Sequence, residues 1–324
     1  MNRIFLTNNP EQIERVYDTG LREQLGNPDI LLYEMIGGSM PQVEYIFSTW
    51  GMPAMSEAEI EAVFPNLKAV FYAAGSVQHF ARAFLARGAR VFSAWGANAV
   101  PVAEFIVAQI VLANKGFFQS AALMKAGKRD EGRGFPEGMA GNYGATVGLI
   151  GCGMIGSRVA QMLQQYNLHV LVDDYVSDEK AKQLGLEKCT LEELFSRSQT
   201  ISNHLPDNER TKGMLGYELF NRMKPNAAFI NTGRGAQVVE ADLIRALEEE
   251  PNRVALLDVT EPEPPVPSSP LYRLPNAVLS PHIAGSTGCE VVRMGEYMLK
   301  AYQAVECSAE TNCEVTAKML ETMA

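Results

Sequence analysis

The sequence predicts an α/β protein of two domains, each built on a doubly wound parallel sheet. Short apolar runs alternate along the chain with longer amphipathic stretches, and this alternation is typical of parallel sheets covered by helices on both faces. It occurs in two successive blocks, and the 324 residues exceed the size at which a single core stops growing, roughly 250–300 residues. Both domains are therefore expected to be Rossmann-like or flavodoxin-like, with a cleft between them.

Each block contributes its own predicted elements. In the first block the pattern predicts strands at residues 3–6, 45–48, 69–72 and 90–92, with helices at 56–64 and 77–87. In the second block it predicts a helix at 155–166 and strands at 146–150, 169–172, 200–203, 227–231 and 255–258. Between the blocks lie a long, mostly apolar helical pattern at 98–125 and a loop at 127–144. A last helical pattern, 288–307, precedes a polar tail without strand signal, so we expect it to pack on a sheet already formed.

Charge and cysteine content exclude several classes of partner. Lys and Arg total 28 against 38 for Asp and Glu, a formal net charge of −10. Such a surface repels phosphate backbones, so nucleic acid and anionic membranes are not expected partners, although a local pocket for a small anion is compatible with it. No secretory signal is visible, and the apolar stretch 105–114 is too short to span a bilayer. The five cysteines are widely spaced without a CxxC motif, which predicts a cytoplasmic protein with no disulfide and no metal site.

A glycine motif opens the second block. Gly151, Gly153 and Gly156 form G-x-G-x-x-G directly after an apolar run and at the start of a helical pattern, with Met154 and Ile155 between them. The glycines allow a tight turn, close approach of the backbone to a pyrophosphate, and close helix–strand packing. The free N–H groups and the positive end of the helix then favour the phosphate. The motif in this context predicts a dinucleotide site.

An acidic residue downstream supports this interpretation. Asp174 lies 18 residues after Gly156, at the end of the second predicted strand, where a carboxylate can accept hydrogen bonds from both ribose hydroxyls. No Arg or Lys follows directly to neutralise a 2′-phosphate, so NAD is favoured over NADP. The alternative is that Asp173 and Asp174 only begin a solvated turn.

Three polar residues follow later strands, at the sheet edge where open α/β sheets bind ligands. Arg234 lies in the glycine-flanked segment NTGRGAQV, Glu263 in the proline-rich segment TEPEPP, and His282 in SPHIAG. Singly they could be a surface cation, a solvated loop acid and a structural histidine.

Together these three residues match the reduction of a small 2-keto acid at C2. An arginine can hold the substrate carboxylate through two parallel hydrogen bonds. A histidine can donate a proton to the carbonyl oxygen and remove it in the reverse direction. A carboxylate beside that histidine favours its protonated form near neutral pH. The cofactor, NAD, contributes the hydride.

The chain resembles the D-isomer-specific 2-hydroxyacid dehydrogenase family. The matching segments, in the family's order and spacing, are VGLIGCGMIG with Asp174, NHLPDNERTKGML, FINTGRGAQV, LDVTEPEP and LSPHIAG. The resemblance covers nearly the whole chain and is strongest from about residue 98 to residue 285. It implies that Arg234, Glu263 and His282 are the catalytic set, and it selects Glu263 rather than Glu261 as the acid.

The resemblance also implies binding residues and an organisation. Around the cofactor it implies, beyond the glycine motif and Asp174, a set of loop residues at strand ends: His204, Pro206, Thr211, Thr232, Gly233, Asp258 and Gly285. For the substrate carboxylate it implies the backbone donors of Ala74, Gly75 and Ser76. The substrate domain is expected to be discontinuous, comprising 1–98 and 286–324, with an NAD-binding domain at 99–285. A homodimer joined through the NAD-binding domain is implied as well.

Three departures from the family pattern leave the chemistry intact and affect substrate choice. Thr260 stands where an aromatic residue is usual, the loop 75–79 lacks its usual acid, and Pro101 stands where a small residue is usual. A non-catalytic NADH-sensing corepressor or scaffold of the same fold is the alternative function. The presence of all three catalytic residue types argues against it.

Overall fold

The computed structural model describes residues 2–321. Within that range the strands are short and belong to two sheets. In chain order they are β1 Arg3–Thr7, β2 Asp29–Leu32, β3 Tyr45–Ser48, β4 Ala69–Tyr72, β5 Arg90–Ser93, β6 Tyr143–Ile150, β7 Asn167–Asp173, β8 Glu187–Cys189, β9 Thr200–Asn203, β10 Ala228–Asn231, β11 Val254–Leu257, β12 Ala277–Leu279 and β13 Glu314–Val315.

The α-helices lie between these strands, as expected for crossover connections in parallel sheets. In chain order they are α1 Pro10–Val16, α2 Thr19–Gln24, α3 Glu57–Val63, α4 Ala81–Ala86, α5 Trp95–Ala113, α6 Phe117–Lys125, α7 Arg129–Gly134, α8 Met154–Leu163, α9 Asp178–Gln183, α10 Leu191–Arg197, α11 Tyr217–Phe220, α12 Glu240–Glu249 and α13 Val292–Glu306. The α/β fold predicted from the alternating pattern is confirmed.

The chain divides into two compact units, and the first comprises the chain up to Ala99 and from Ser286 onward. Its sheet has the order β13-β5-β4-β3-β1-β2. Strands β1 to β5 pair in parallel, which is the 2-1-3-4-5 order of flavodoxin-like sheets. One face carries a row of aromatic rings, with Phe47, Phe71 and Phe92 stacked at centroid distances of 4.9–5.0 Å. Helix α13 packs on this face and buries Tyr302 against the row.

The tail after α13 contains a strand that the sequence analysis did not predict. Residues Glu314 and Val315 form β13, which pairs antiparallel with β5. The Arg90 guanidinium makes two hydrogen bonds to the Glu314 carboxylate, at 2.8 and 2.6 Å. The prediction of a strandless tail was therefore wrong, because two residues are too few to produce a recognisable alternation.

The second unit comprises Val100–Gly285. Its sheet has the order β12-β11-β10-β9-β6-β7-β8, with all pairs parallel. Counted from its own first strand, β6, this is the 3-2-1-4-5-6 order of dinucleotide-binding sheets with β12 added at one edge. The order reverses between β6 and β9, and ligands bind outside the carboxyl ends of the strands near such a switch point.

The predicted single helix at 98–125 is two helices, α5 and α6. Gly116 separates them with φ +69°, and a Cβ there would lie 2.8–2.9 Å from the side chains of Met139 and Phe135, so the break requires glycine. The region predicted as a loop, 127–144, contains α7 and a short 3-10 helix, Phe135–Gly138.

Helix α5 is long and apolar enough to cross a membrane by length and composition alone, although half of its most apolar window is buried inside the protein. The sequence predicts no membrane span, because no window approaches about 18 uncharged apolar residues and the stretch 105–114 is too short, whereas α5 is long and apolar enough on average. Ala103, Ile106 and Ile110 of α5 are fully buried in the core of the second unit. The apolar composition thus belongs to a helix packed on the sheet.

Candidate active site

The carboxyl edge of the second sheet collects most of the predicted site residues. The glycine motif follows β6, His204 follows β9, Arg234 follows β10, and Glu263 and His282 follow β11 and β12. Strands β9 to β12 are consecutive neighbours in the sheet, and β6 lies beside β9. Because all these strands are parallel, their following loops meet at one edge.

The glycine turn has the shape needed for a pyrophosphate. Gly151 has φ +83°, and a Cβ on it would lie 2.9 Å from the carbonyl oxygen of His204. A Cβ on Gly156 would lie 2.4 Å from the Gly151 carbonyl oxygen, whereas at Gly153 it would meet nothing within 4 Å. Neighbouring backbone therefore leaves no room for a side chain at Gly151 or Gly156, whereas the space beside Gly153 is open toward a ligand. Helix α8 begins directly after Gly153 without a side-chain cap, so its first N–H groups remain available to an anion.

The acid whose side chain contacts this turn is Asp173, the neighbour of Asp174. Asp173 is fully buried at the end of β7, and its carboxylate accepts hydrogen bonds from the N–H groups of Gly151 and Tyr175. Burial raises the pKa of the Asp173 carboxyl, and the two N–H donors oppose the rise. Asp174 is exposed and makes no hydrogen bond among the described residues. Successive side chains at a strand end point to opposite sides, which explains why only one of the two reaches the turn.

Two buried polar atoms near the turn have no partner within residues 2–321. They are Nε2 of His204 and Oγ1 of Thr232, which follow β9 and β10. Burial lowers the pKa of His204 to about 3, so its imidazole is neutral at physiological pH. Unpartnered buried polar atoms are rare in proteins unless a ligand or water satisfies them. Their position at the sheet edge fits a dinucleotide bound across the glycine turn.

Arg234 is half-buried, and its loop packs closely against the backbone of a neighbouring loop. Its Nη1 donates to the Gly233 carbonyl at 2.8 Å. A Cβ on the next residue, Gly235, would lie 2.0 Å from the backbone carbon of Thr260. The Arg234 loop therefore touches the backbone of the loop that carries Glu263, and only glycine permits this contact.

His282 and Glu263 form a direct pair. Nδ1 of His282 lies 2.6 Å from Oε1 of Glu263, and the side chains are 49% and 41% exposed. The second nitrogen, Nε2, is then left to face a ligand. Glu261, the other acid of this loop, makes no such contact. The structure thus brings together the histidine and the acid that the sequence analysis selected.

Asp258 holds the His282 loop in place. Its carboxylate accepts hydrogen bonds from the Ser280 hydroxyl at 2.6 Å and from the N–H groups of Ile283 and Ala284 at 2.9 and 2.8 Å. His282 adopts φ +55°, a conformation that side chains other than glycine seldom adopt. The clamp by Asp258 maintains it. Both oxygens of Asp258, the residue expected beside the nicotinamide, thus accept hydrogen bonds from groups of the protein itself.

The remaining residues expected at the cofactor lie in the same loops. Pro206 and Thr211 belong to one turn, in which the Thr211 hydroxyl donates to the Pro206 carbonyl at 2.6 Å. The N–H of Gly233 donates to the Asn231 side chain at 3.1 Å. Gly285 ends the second unit, directly after the segment that Asp258 holds.

The substrate loop lies in the first unit, after β4. The N–H of Ala74 already donates to the Tyr72 carbonyl at 2.9 Å. The N–H groups of Gly75 and Ser76 make no hydrogen bond among the described residues, while the Ser93 hydroxyl holds the carbonyl oxygens of Ala74 and Gly75 at 2.8 and 2.6 Å. Two of the three expected donors are therefore available to an anion.

Sequence analysis missed three buried amide side chains beneath the Arg234 loop: Asn203, Asn231 and Gln237. The two asparagines end neighbouring buried strands, and a polar residue at the end of a buried strand is a pattern that could have identified them. Gln237 lies in a loop and carries no local signal.

Comparison with known proteins agrees with this geometry. Residues 107–284 match the family model described as D-isomer specific 2-hydroxyacid dehydrogenase, NAD binding domain. The chain is 34% identical over 233 residues to a D-3-phosphoglycerate dehydrogenase of Archaeoglobus fulgidus, covering 71% of this chain and 44% of that protein. It is 34% identical over 244 residues to a glyoxylate reductase of Korarchaeum cryptofilum, covering 74% and 73% of the two chains.

The match thus spans less than half of the Archaeoglobus relative. The fold is similar to that of a D-lactate dehydrogenase with NAD+ from Lactobacillus jensenii, with a TM-score of 0.77, 22% identity, and coverage of 97% of this chain and 99% of that one. NAD, the cofactor predicted from the glycine motif, is confirmed as that of the matched domain. The chain belongs to the D-isomer specific 2-hydroxyacid dehydrogenase family, as its sequence resemblance predicted.

Proposed function

We propose that the protein is an NAD-dependent oxidoreductase that interconverts a small 2-keto acid and the D-2-hydroxy acid. The observation that carries this proposal is the 2.6 Å pair of His282 and Glu263, on the same sheet edge as Arg234 and the glycine turn. We assign NAD to residues 99–285 and substrate binding to residues 1–98 and 286–324.

In the proposed reaction each residue has one task. Arg234 binds the substrate carboxylate. In the first unit, the N–H groups of Gly75 and Ser76 are the candidate anion donors. His282, with Glu263 on Nδ1, donates a proton from Nε2 to the carbonyl oxygen and takes it back in the oxidation. NAD(H) supplies or accepts the hydride when bound. His204 is neutral because of its burial, so we assign it to shaping the cofactor pocket.

We further propose that the substrate carries no phosphate. The first unit contains three arginines near its helix α4 and strand β5, and each has a partner elsewhere. Arg82 donates to the Leu320 carbonyl, Arg87 pairs with Glu61, and Arg90 pairs with Glu314. A phosphate needs cations or several N–H donors. Two of these three arginines are paired with carboxylates, and Arg82 makes one hydrogen bond to a backbone carbonyl.

A panel of keto acids tests the proposal. We expect NADH oxidation with glyoxylate, hydroxypyruvate or a larger 2-keto acid, followed at 340 nm. Hydroxypyruvate should have a higher kcat/KM than 3-phosphohydroxypyruvate, the phosphorylated counterpart. Turnover of the phosphorylated compound alone would contradict the substrate proposal. Tight NADH binding without turnover of any compound would favour the alternative function, an NADH sensor. No residue of the described site specifically favours that alternative.

Replacing Asp173 with asparagine should weaken cofactor binding. The two carboxylate oxygens accept the N–H groups of Gly151 and Tyr175, and an amide has only one acceptor oxygen, so the glycine turn loses a hydrogen bond to a charged group, which contributes about 1.5–3 kcal/mol. We expect KM for NADH to rise about 10- to 100-fold. Asp174→Asn is the matched comparison and should change KM less than about 3-fold. A larger effect at Asp174, with a lower preference for NAD over NADP, would favour Asp174 as the acid that binds the ribose, as predicted from the sequence.

Replacing Glu263 with glutamine should lower kcat for keto-acid reduction. The carboxylate holds His282 through the 2.6 Å contact with Nδ1, and a hydrogen bond to a charged group contributes about 1.5–3 kcal/mol. A neutral amide orients the imidazole less firmly, so we expect kcat to fall about 10- to 100-fold while the affinity for NADH is kept. A wild-type kcat in this variant would exclude Glu263 from this role.

We also propose that the protein is a cytoplasmic homodimer joined through the NAD-binding domain. All five cysteines are free, as in a reducing compartment. Leu112 and Phe117 on α5 and α6 are 38% and 50% exposed, and Met124 and Tyr143 are 51% and 83% exposed. Exposed apolar side chains concentrated in one region favour a protein partner, and light scattering of the purified chain would measure the mass.

A further inference from the structure

The three amide side chains beneath the Arg234 loop form a buried network. Asn203 and Asn231 end the neighbouring strands β9 and β10, where they are paired in register. Gln237 ends the 3-10 helix Gly235–Gln237, which begins directly after Arg234. The three residues are 0%, 1% and 0% exposed. We call them the amide network.

On one side the network holds the backbone around Arg234. Oδ1 of Asn231 accepts the N–H of Gly233 at 3.1 Å, and Nδ2 of the same amide donates to the carbonyl of Arg234 at 3.1 Å. One side chain therefore fixes the Thr232–Gly233 peptide group and the peptide group that follows the arginine Cα.

On the other side the network holds the loop that follows β9. Nε2 of Gln237 donates to the carbonyl oxygens of Leu205 and Pro206, at 2.8 and 2.9 Å. Nδ2 of Asn203 donates to Oε1 of Gln237, and to Oδ1 of Asn231 at 3.1 Å. Gln237 thus connects the Arg234 loop to the segment next to His204.

Both N–H donors of the Gln237 amide and its carbonyl oxygen have partners. A buried polar network that is fully satisfied makes the groups around it rigid. An apolar side chain at position 237 would leave the Leu205 carbonyl and one Asn203 donor without partners, and the Pro206 carbonyl would keep only the Thr211 hydroxyl. Unsatisfied buried groups are costly. Gln237 therefore adds a buried side-chain link between the two loops, beside the backbone hydrogen bonds that Gly213 and Leu215 donate to residues 236 and 237.

We propose that Gln237 is a positioning residue for substrate: it sets Arg234 relative to the cofactor pocket beside His204. The inference rests on the proposed function, because it assumes that Arg234 holds the substrate carboxylate. Displacement of such a group by about 1 Å is enough to slow a reaction about 100-fold. Gln237 itself touches neither substrate nor cofactor in this role.

The test compares Gln237→Leu with Gln199→Leu. Gln199 is also buried and donates to a backbone carbonyl, that of Asn226 at 2.8 Å, but it lies before β9 at the opposite end of the sheet. In Gln237→Leu we expect KM for the keto acid to rise about 10- to 100-fold, and to rise more than the Kd for NADH, measured by fluorescence. In Gln199→Leu both should remain near the wild-type values.

A second variant, Gln237→Glu, keeps the inference testable if the leucine variant does not fold. An ionised carboxylate facing the carbonyls of Leu205 and Pro206 repels them, whereas the protonated form restores one donor. The ratio of kcat/KM between this variant and the wild type should therefore rise as the pH falls. A ratio that is independent of pH would overturn the inference.

Two other results have distinct meanings. A keto-acid KM unchanged in Gln237→Leu, or raised equally in Gln199→Leu, would overturn the positioning role. Wild-type protein that binds NADH and reduces none of the keto acids would overturn the proposed function, and the inference with it.

Discussion

Replacement of His282 with alanine is expected to lower kcat for keto-acid reduction about 1,000-fold. The variant loses the group that donates a proton to the carbonyl oxygen, and general acid catalysis by a positioned side chain contributes roughly 100- to 10,000-fold. The affinity for NADH should be retained, because no described contact links His282 to the glycine turn. Stopped-flow or steady-state assays at 340 nm, with NADH fluorescence titration, measure both quantities.

The second unit offers a matched control for this experiment. His169 and Glu187 form a pair with the same 2.6 Å separation, and their side chains are 48% and 41% exposed. His169 lies near the start of β7, away from the carboxyl edge. His169→Ala should therefore retain wild-type turnover. Normal turnover in His282→Ala would refute the assignment of His282 as the proton donor.

Replacement of Arg234 with glutamine is expected to lower kcat/KM for the keto acid at least about 100-fold. The guanidinium can make two charge-assisted hydrogen bonds to a carboxylate, and each bond to a charged group contributes about 1.5–3 kcal/mol. Together they correspond to about 100- to 10,000-fold in rate. The loss should be larger in KM than in the affinity for NADH.

Two further variants show whether charge or geometry matters at position 234. Arg234→Lys keeps the charge without the planar pair of donors, so it should recover only part of the activity. Arg245→Gln removes an arginine of α12 that pairs with Glu249 at 2.8 Å and should leave kcat/KM unchanged. Full activity in Arg234→Lys would mean that the carboxylate is held by charge alone.

Central strands were predicted more accurately than edge strands. The bounds predicted for β3, β4 and β9 agree with the structure residue for residue, and every residue in these strands is buried. By contrast β2, β8 and β12 were not predicted. Each is an edge strand and is partly exposed. The apolar runs of β2 and β12 are short and β8 has none, so their pattern is weaker than that of the buried central strands.

The prediction of the site was best where chemistry constrains the residue type. Arg234, Glu263 and His282 were named from their segments, and the structure brings Glu263 to His282. Of the adjacent acids, spacing favours Asp174 for the ribose, whereas the carboxylate that contacts the glycine turn is that of Asp173. That contact depends on the direction of the side chain at the end of β7, which spacing alone does not give.

The sequence by itself determined the fold class, the cofactor and the residue types of the site, because periodicity and glycine spacing are local properties of the chain. Only the tertiary structure decided which polar groups form hydrogen bonds with each other and which loops are in contact. The contact of Gly235 with Thr260, the clamp of Asp258 on the His282 loop and the amide network around Gln237 all join loops that are distant in sequence. Such contacts arise when parallel strands bring their carboxyl ends to one edge of the sheet. No local pattern in the sequence predicts them.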